Sequence, residues 1–297
     1  RFAHSAMDLE KSDFLIFDAC IERPDEPVYT RPYRYSSIEE DEIERQINEW
    51  LSCGQVVHSK SRWSSPCLLV DKQDKTKRVV IDYRRVNKRT KKEPFPLGHI
   101  ESLLARIAVG NYFSVLDFKS GFQQVLINPK VAQYFAFSTN KSHFEPRVMQ
   151  FGMKNAPMHF SKLMQLLLGD LPYVVIFIDD LVIYTSSFED HLTALKTVFH
   201  RIREAKLKLN RKKCRWLCKR IEYLGYIIED GFVKMSRDKV EKIIDRVAPK
   251  NVKELQAYMG LVNYYRKFIK DFAGITACMT ELLKKGVKYE WSSECGN

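Results

Sequence analysis

Short stretches of differing hydrophobic period succeed one another along this chain. Residues 1–35 show no regular period, and Pro24, Pro27 and Pro32 interrupt them. A helix is predicted from Ile38. Ser36 and Ser37 cap it, acids fill its first turn, Ile43, Ile47 and Trp50 or Leu51 recur at helical spacing, and Gly54 stops it. Strands at 67–70 and 78–82 flank a charged tip at 71–77. A short helix at 100–107 precedes a strand at 111–117 that ends on Asp117. The stretch 121–127 follows, and strands at 134–138 and 144–148 form a second hairpin. Ala156-Pro157 opens a helix with Phe160, Leu163, Met164 and Leu167 on one face. Apolar strands at 173–178 and 181–185 enclose the turn Asp179-Asp180. A helix at 191–205 turns Leu192, Leu195, Val198, Phe199 and Ile202 inward. A strand hairpin is centred on Gly225, and helices are predicted at 239–244, 252–272 and 273–285. Mixed elements followed by a helical tail predict an α+β body with an appended helical subdomain.

Composition narrows the function classes. The chain has 297 residues, 45% hydrophobic and 29% charged, enough for a sizeable core. Its net charge is +12, but the sign is uneven. Residues 1–50 carry 6 basic and 13 acidic side chains, whereas 51–297 carry 43 and 24. A body at +19 behind a leader at −7 fits a polyanionic partner. Its densest basic stretch, 201–220, holds ten basic residues and one acid. The apolar run at 174–178 is far short of the roughly 20 residues a membrane span needs. Seven scattered cysteines and no secretory signal predict an intracellular, reducing location, cytoplasmic or nuclear. Cys214 and Cys218 could share a helix face, but no second Cys/His pair follows at metal-ligand spacing. The chain starts with Arg and stops in mid-pattern at 291–297, which reads as a piece of a longer polypeptide.

The sharpest chemical feature is Phe177-Ile178-Asp179-Asp180. An isolated acidic pair at a turn reads as solvated turn chemistry. Here apolar strands flank it on both sides, and buried carboxylates need a counter-charge. A divalent cation supplies one. Asp117, at another strand end, brings the acids to three, the ligand count a two-metal site needs.

Several stretches together resemble the reverse transcriptases of gypsy-type LTR retrotransposons and related retroviruses. They are Val80-Ile81-Asp82-Tyr83-Arg84-Arg85-Val86-Asn87, Tyr112-Phe113-Ser114-Val115-Leu116-Asp117-Phe118, Phe151-Gly152-Met153-Lys154-Asn155-Ala156-Pro157 and Phe177-Ile178-Asp179-Asp180. Leu207-Lys208-Leu209-Asn210, Tyr223-Leu224-Gly225-Tyr226 and Gly260-Leu261-Val262-Asn263-Tyr264-Tyr265-Arg266 follow in the same order. The resemblance runs from about Pro32 to the last residue.

The resemblance implies a right-hand polymerase. Its expected parts are an acidic extension at 1–35, fingers at 36–110 and 131–158, palm at 111–130 and 159–232, and a helical thumb at 233–297. No RNase H domain is expected in this stretch. The palm would be an antiparallel sheet with helices on one face. Asp117, Asp179 and Asp180 would be catalytic and would ligate two Mg²⁺ ions, with Mn²⁺ as a substitute and the Phe118 carbonyl as a further ligand. Phe122, five residues after Asp117, would be the gate that excludes a ribose 2′-hydroxyl. Arg78 would grip the triphosphate, partnered by Lys72 or, if the tip register differs, Lys75. Phe151 and Gly152 would line the dNTP pocket. Leu224, Gly225 and Tyr226 would form the primer grip. Gln256, Gly260 and Tyr264, four apart, would present one thumb face to the minor groove.

The implied partners are an RNA template, a DNA primer or RNA/DNA duplex, and dNTPs, with other pol polyprotein domains or a second copy as further partners and no membrane. The sequence also departs from the family: Gln150 stands where relatives often carry Pro, and Pro146 and Arg147 replace more apolar residues. Two other readings stay open: a domesticated copy that binds nucleic acid or a partner protein without polymerising, and an RNA-dependent RNA polymerase, against which Phe122 argues.

Overall fold

The structure is a computed structural model that describes residues 12–71, 76–96, 98–292 and 295. The tip lysines Lys72 and Lys75 lie outside the described residues. Two compact units divide at Lys219 and Arg220.

The strands of the first unit are β1 (Ser12–Phe17), β2 (Val56–His58), β3 (Ser65–Asp71), β4 (Lys77–Ile81), β5 (Tyr112–Leu116) and β6 (Val125–Ile127). They continue as β7 (Phe137–Ser138), β8 (His143–Pro146), β9 (Val174–Phe177), β10 (Asp180–Thr185) and β11 (Arg215–Cys218). Its helices are α1 (Ser37–Ser52), α2 (Arg84–Arg89), α3 (Ile100–Ala108), α4 (Pro129–Ala132), α5 (Ala156–Leu168) and α6 (Phe188–Glu204).

Local chemistry explains the best-defined ends. α1 opens on a capping box: Glu39 N–H donates to Ser36 Oγ (3.4 Å), and the Ser36 N–H donates to Glu39 Oε2 (3.1 Å). α6 opens on Ser187, whose Oγ accepts from Asp190 N–H (3.1 Å).

One antiparallel sheet of order β11-β5-β10-β9 forms the floor of the unit. α5 and α6 pack on β9 and β10, burying Phe160, Leu163, Met164 and Leu167 from one and Leu195, Val198 and Ile202 from the other. Leu192 was expected inside as well, but it is exposed on α6. A second sheet, of order β2-β8-β7-β3-β4, carries the 78–82 strand expected from the pattern.

The N-terminal residues depart from the pattern-based expectation. Residues 12–17 are not irregular: β1 pairs in parallel with β6, and Phe17 is fully buried. The strand is short and closed by a partner more than 100 residues away, so no local period announces it. Cys214 and Cys218 do not share a helix face either, because Cys218 closes strand β11. All seven cysteines are free thiols.

The second unit holds the strands β12 (Arg220–Tyr223), β13 (Tyr226–Glu229) and β14 (Phe232–Met235). The hairpin expected around Gly225 gains a third strand, and the sheet groups with the helices that follow. Both of its turns have two residues with positive φ, Leu224-Gly225 and Asp230-Gly231, the mirror-image type that suits strand twist. The unit's helices are α7 (Arg237–Ile244), α8 (Val252–Asn263), α9 (Phe272–Ile275) and α10 (Ala277–Glu281). The helix expected at 252–272 thus stops at Asn263. A 3₁₀ turn at Arg266–Phe268 and Asp271, at φ 52°, interrupt its continuation. Tyr265 packs its ring on Tyr226, a tertiary contact that outweighs helical period.

Among the described residues, no helix is long and apolar enough to cross a membrane.

Candidate active site

The two acidic segments meet through sheet register. Leu116 on β5 pairs with Leu181 on β10, so the next position along each strand sets Asp117 opposite Asp180. Asp180 pairs with Phe177 across the hairpin, leaving Ile178-Asp179 as a two-residue loop. Ile178 has φ 59°, and Asp179 is not positive, the pattern of a type II′ turn. That first position normally takes Gly; a β-branched residue there stores roughly 1–3 kcal/mol of strain. The hairpin thus holds its acids at the sheet edge by packing on both flanks, not by turn propensity.

The backbone at Asp117 is fixed from the other side. The Asn210 N–H donates to the Asp117 carbonyl (2.8 Å), and the Lys119 N–H donates to the Lys208 carbonyl (3.2 Å). These bonds flank the Phe118–Leu209 bridge, so the ladder leaves the Phe118 carbonyl unused. The buried Cys214 thiol accepts from the Asp117 N–H (3.4 Å) and also contacts its carbonyl (3.6 Å).

The carboxylates act on one another. Burial raises the Asp117 carboxyl above its ordinary range; the Lys213 ammonium opposes this, and the Asp179 charge adds to it. Lys213 Nζ lies 3.8 Å from Asp117 Oδ2. Desolvation, then the like charges of Asp179 and Asp117, push Asp180 up to about 6. Asp180 still keeps an exposed edge, which leaves it open to a further partner.

Among the described residues, no three or more His, Cys, Asp or Glu side chains are grouped so as to hold a metal ion by themselves. The donor chemistry nonetheless fits Mg²⁺. All the candidate donors are oxygens, their mutual repulsion calls for a cation, and Mg²⁺ takes only one or two protein carboxylates beside phosphate and water.

A stability prediction follows from this repulsion. Asp180→Asn is expected to raise the melting temperature of the metal-free protein by a few degrees at neutral pH. The Asp180 carboxyl, near 6 in the folded state, sits above its unfolded value of about 3.9. Its ionised form therefore costs stability in full above pH 6, and the cost fades as pH falls toward 4. Melting curves of both proteins across that range should converge at the acid end; identical curves at pH 7.5 would contradict the repulsion.

A cavity of about 480 Å³ opens beside the acids, and its walls include Asp117, Asp179, Arg78, Phe122, Phe151 and Lys213. Phe122 lies on a 3₁₀ turn, Gly121–Gln124, with its ring 5.1 Å from that of Phe151 and 5.6 Å from that of Phe160. The turn needs Gly121, because a Cβ there would meet Phe160 Cζ at 2.9 Å. Arg78 reaches in from β4 and places its guanidinium carbon 5.5 Å from the Phe151 ring centre.

Gly152 follows Phe151 at φ 89°. Asn87 on α2 holds it, donating through Nδ2 to the Gly152 carbonyl (2.7 Å) and accepting from the Lys154 N–H (3.0 Å). Lys154 Nζ donates to the carbonyls of Asn87 (3.2 Å) and Thr90 (2.5 Å), so it caps the end of α2.

The cleft thus brings together Asp117, Phe118, Asp179, Arg78, Phe122 and Phe151, with Asp180 opposite Asp117 and Gly152 next to Phe151. Lys213, Asn210 and Cys214 were not singled out from sequence as site residues. In the sequence Asn210 shows only as the end of Leu207-Lys208-Leu209-Asn210, Lys213 as one charge of the basic stretch 201–220, and Cys214 as half of a cysteine pair.

In the second unit, Leu224 and Gly225 form the tip between β12 and β13. Tyr264 donates its hydroxyl to the Leu224 carbonyl (2.9 Å), and Tyr226 donates to the Tyr264 carbonyl (3.0 Å). The hairpin tip and the end of α8 are therefore tied reciprocally. Gln256 and Gly260 lie exposed on α8, with open space above the Gly260 Cα.

Comparison with known proteins now bears on the family. The model of the family described as reverse transcriptase (RNA-dependent DNA polymerase) matches residues 70–228. The retrovirus-related Pol polyprotein from transposon 297 of Drosophila melanogaster is 34% identical over 271 residues, 89% of this chain and 26% of the relative. The transposon Tf2-3 polyprotein of Schizosaccharomyces pombe is 33% identical over 249 residues, 83% of this chain and 19% of the relative. The chain spans about a quarter of the length of such curated relatives.

Among solved structures, the foamy viral protease-reverse transcriptase in complex with ds DNA is similar with a TM-score of 0.88 and 25% identity, over 99% of this chain and 52% of that one. The same viral protein in complex with an RNA/DNA hybrid gives 0.81 and 25%, over 99% and 40%. On these matches the chain belongs to the reverse transcriptase family, beside the Pol polyproteins of gypsy-type and Tf2 LTR retrotransposons.

Proposed function

We propose that this chain copies RNA and DNA templates into DNA, transferring nucleotides from dNTPs to a primer 3′-hydroxyl and releasing pyrophosphate. The observation that carries this reading is the shared cleft: Asp117 and Asp179 line the same cavity as Arg78, Phe122 and Phe151.

Asp117, Asp179 and Asp180, with the Phe118 carbonyl, would hold two Mg²⁺ ions. When bound, those ions activate the 3′-hydroxyl and neutralise charge on the leaving pyrophosphate. The chain's own residues do the rest. Arg78 offers a planar, permanently charged fork to the triphosphate. Phe122 closes the sugar side of the pocket, and Phe151 and Gly152 form the adjoining wall. Leu224, Gly225 and Tyr226 position the primer end, and Gln256, Gly260 and Tyr264 face the minor groove. The duplexes named in the two foamy viral structures support nucleic acid of this kind as the partner.

The test is primer extension on matched RNA and DNA templates with dNTPs and Mg²⁺ or Mn²⁺. Extension on both supports the reading. Duplex binding without extension would overturn it in favour of a non-polymerising binding protein, and preferred use of rNTPs would favour an RNA polymerase.

The charge also gives a binding prediction. Part of the 201–220 stretch is engaged internally: Arg201 pairs with Asp170, Lys206 with Asp13 and Lys213 with Asp117. Arg211 and Lys212 remain exposed. Binding to an RNA/DNA duplex should fall linearly in log K against log salt. Replacing Arg211 and Lys212 by Ala should make that slope shallower by about one to two. An unchanged slope would remove these two residues from the duplex contact.

A further inference from the structure

The Phe122 turn is anchored on both sides by consecutive glutamines. Gln124 is fully buried; its Nε2 donates to the carbonyls of Lys119 (2.7 Å) and Lys208 (3.0 Å), and its Oε1 accepts from the Lys208 N–H (2.7 Å). Gln123 points the other way, and its Nε2 donates to Gln150 Oε1 (3.1 Å). Gln150 is 2% exposed, and its own Nε2 donates to the Val148 carbonyl (3.3 Å).

The second bond has a particular place in the fold. Residues 125–127 pair with 147–149 in an antiparallel ladder: the Ile127 N–H donates to the Arg147 carbonyl (3.1 Å), and the Met149 N–H donates to the Val125 carbonyl (2.9 Å). The ladder stops where the chain coils into the 3₁₀ turn. The next link between the two segments is the side-chain bond from Gln123 to Gln150. Each partner is the sequence neighbour of a cleft aromatic, Phe122 for one and Phe151 for the other. Proline at position 150 could not make this bond.

We infer that the Gln123–Gln150 amide pair sets the spacing of the Phe122 and Phe151 rings and thereby tunes discrimination between deoxyribose and ribose. The inference rests on the polymerase reading above. The two residues are positioning residues: they act through the rings and touch no reacting atom. A buried amide pair resists opening because separating it strands Gln150 Oε1 away from water. Without the pair, the Phe122 turn keeps its Gln124 anchor but loses the link that holds it toward Phe151. The rings can then part enough to admit a 2′-hydroxyl.

The test compares kcat/KM for a dNTP and its matching rNTP in wild type, Gln150→Leu, Gln123→Leu and the double variant, on one RNA-templated primer. Each single variant is expected to lower the dNTP-to-rNTP ratio about tenfold, and the double variant no further, because one bond is lost in all three. A merely structural role would depress both substrates together and leave the ratio unchanged, which would overturn the inference. So would ratio losses that multiply in the double variant. Wild type that incorporates no dNTP would instead overturn the polymerase reading itself. If Gln150→Leu does not fold, Gln150→Met and Gln123→Met are read by the same ratio.

Discussion

Asp179→Asn is expected to lower templated dNTP incorporation by about 10³-fold or more, the scale on which loss of a transition-state electrostatic group falls. Amide for carboxylate keeps the shape of the II′ turn and removes one charge from the three-acid cluster. The flanking strands β9 and β10 are bound along their length and do not depend on that charge. Asp180 also loses a neighbour that raises its carboxyl, so the fold should not suffer. Duplex affinity should therefore stay near the wild-type value, because the proposed phosphate contact lies in the basic stretch, not at the acidic turn. Single-turnover incorporation beside equilibrium binding separates the two effects. Equal incorporation by the variant would remove Asp179 from the site.

Phe122→Ala should act on selectivity, not on chemistry. Its ring lies against Phe151 and Phe160, and Gly121 behind it lets the turn approach Phe160 closely. Alanine would open the side of the pocket that is proposed to face the sugar, without touching the acids. Discrimination against rNTPs should fall by about 10²-fold, the upper range for a steric pocket that rejects one hydroxyl. The loss should appear mainly as improved rNTP use. The ratio of kcat/KM values measures it, and an unchanged ratio would place the sugar elsewhere.

How much of this was legible in the sequence depends on distance along the chain. Asp179-Asp180 between two apolar strands is a local pattern, and the structure forms that hairpin with its turn one residue earlier than expected, at Ile178-Asp179, so that Asp180 opens β10. The Ala156 helix, with Phe160, Leu163, Met164 and Leu167 inside, is likewise local. β1 was not legible, because Ser12–Phe17 becomes a strand only by meeting Val125–Ile127. The end of α8 at Asn263 was hidden for a similar reason. Helical period continues past it, and the chain turns because Tyr264 and Tyr265 are drawn onto Tyr226.

At the site, Asp117 and the acidic turn could be named from spacing, but their supports could not. Lys213, Cys214 and Asn210 reach Asp117 across about 95 residues of sequence, through sheet register alone. Gln150 showed only as a departure from the family pattern. Its bond to Gln123 exists because an antiparallel ladder brings residues 27 apart together. Motif order names the acids, whereas only geometry names what holds them.

The measurement that tests the central claim most directly is extension of one primer on an RNA template with dNTPs and Mg²⁺, wild type beside Asp179→Asn at equal duplex occupancy. The account predicts a template-length product from wild type and none from the variant. No product from wild type, or equal product from both, would contradict it.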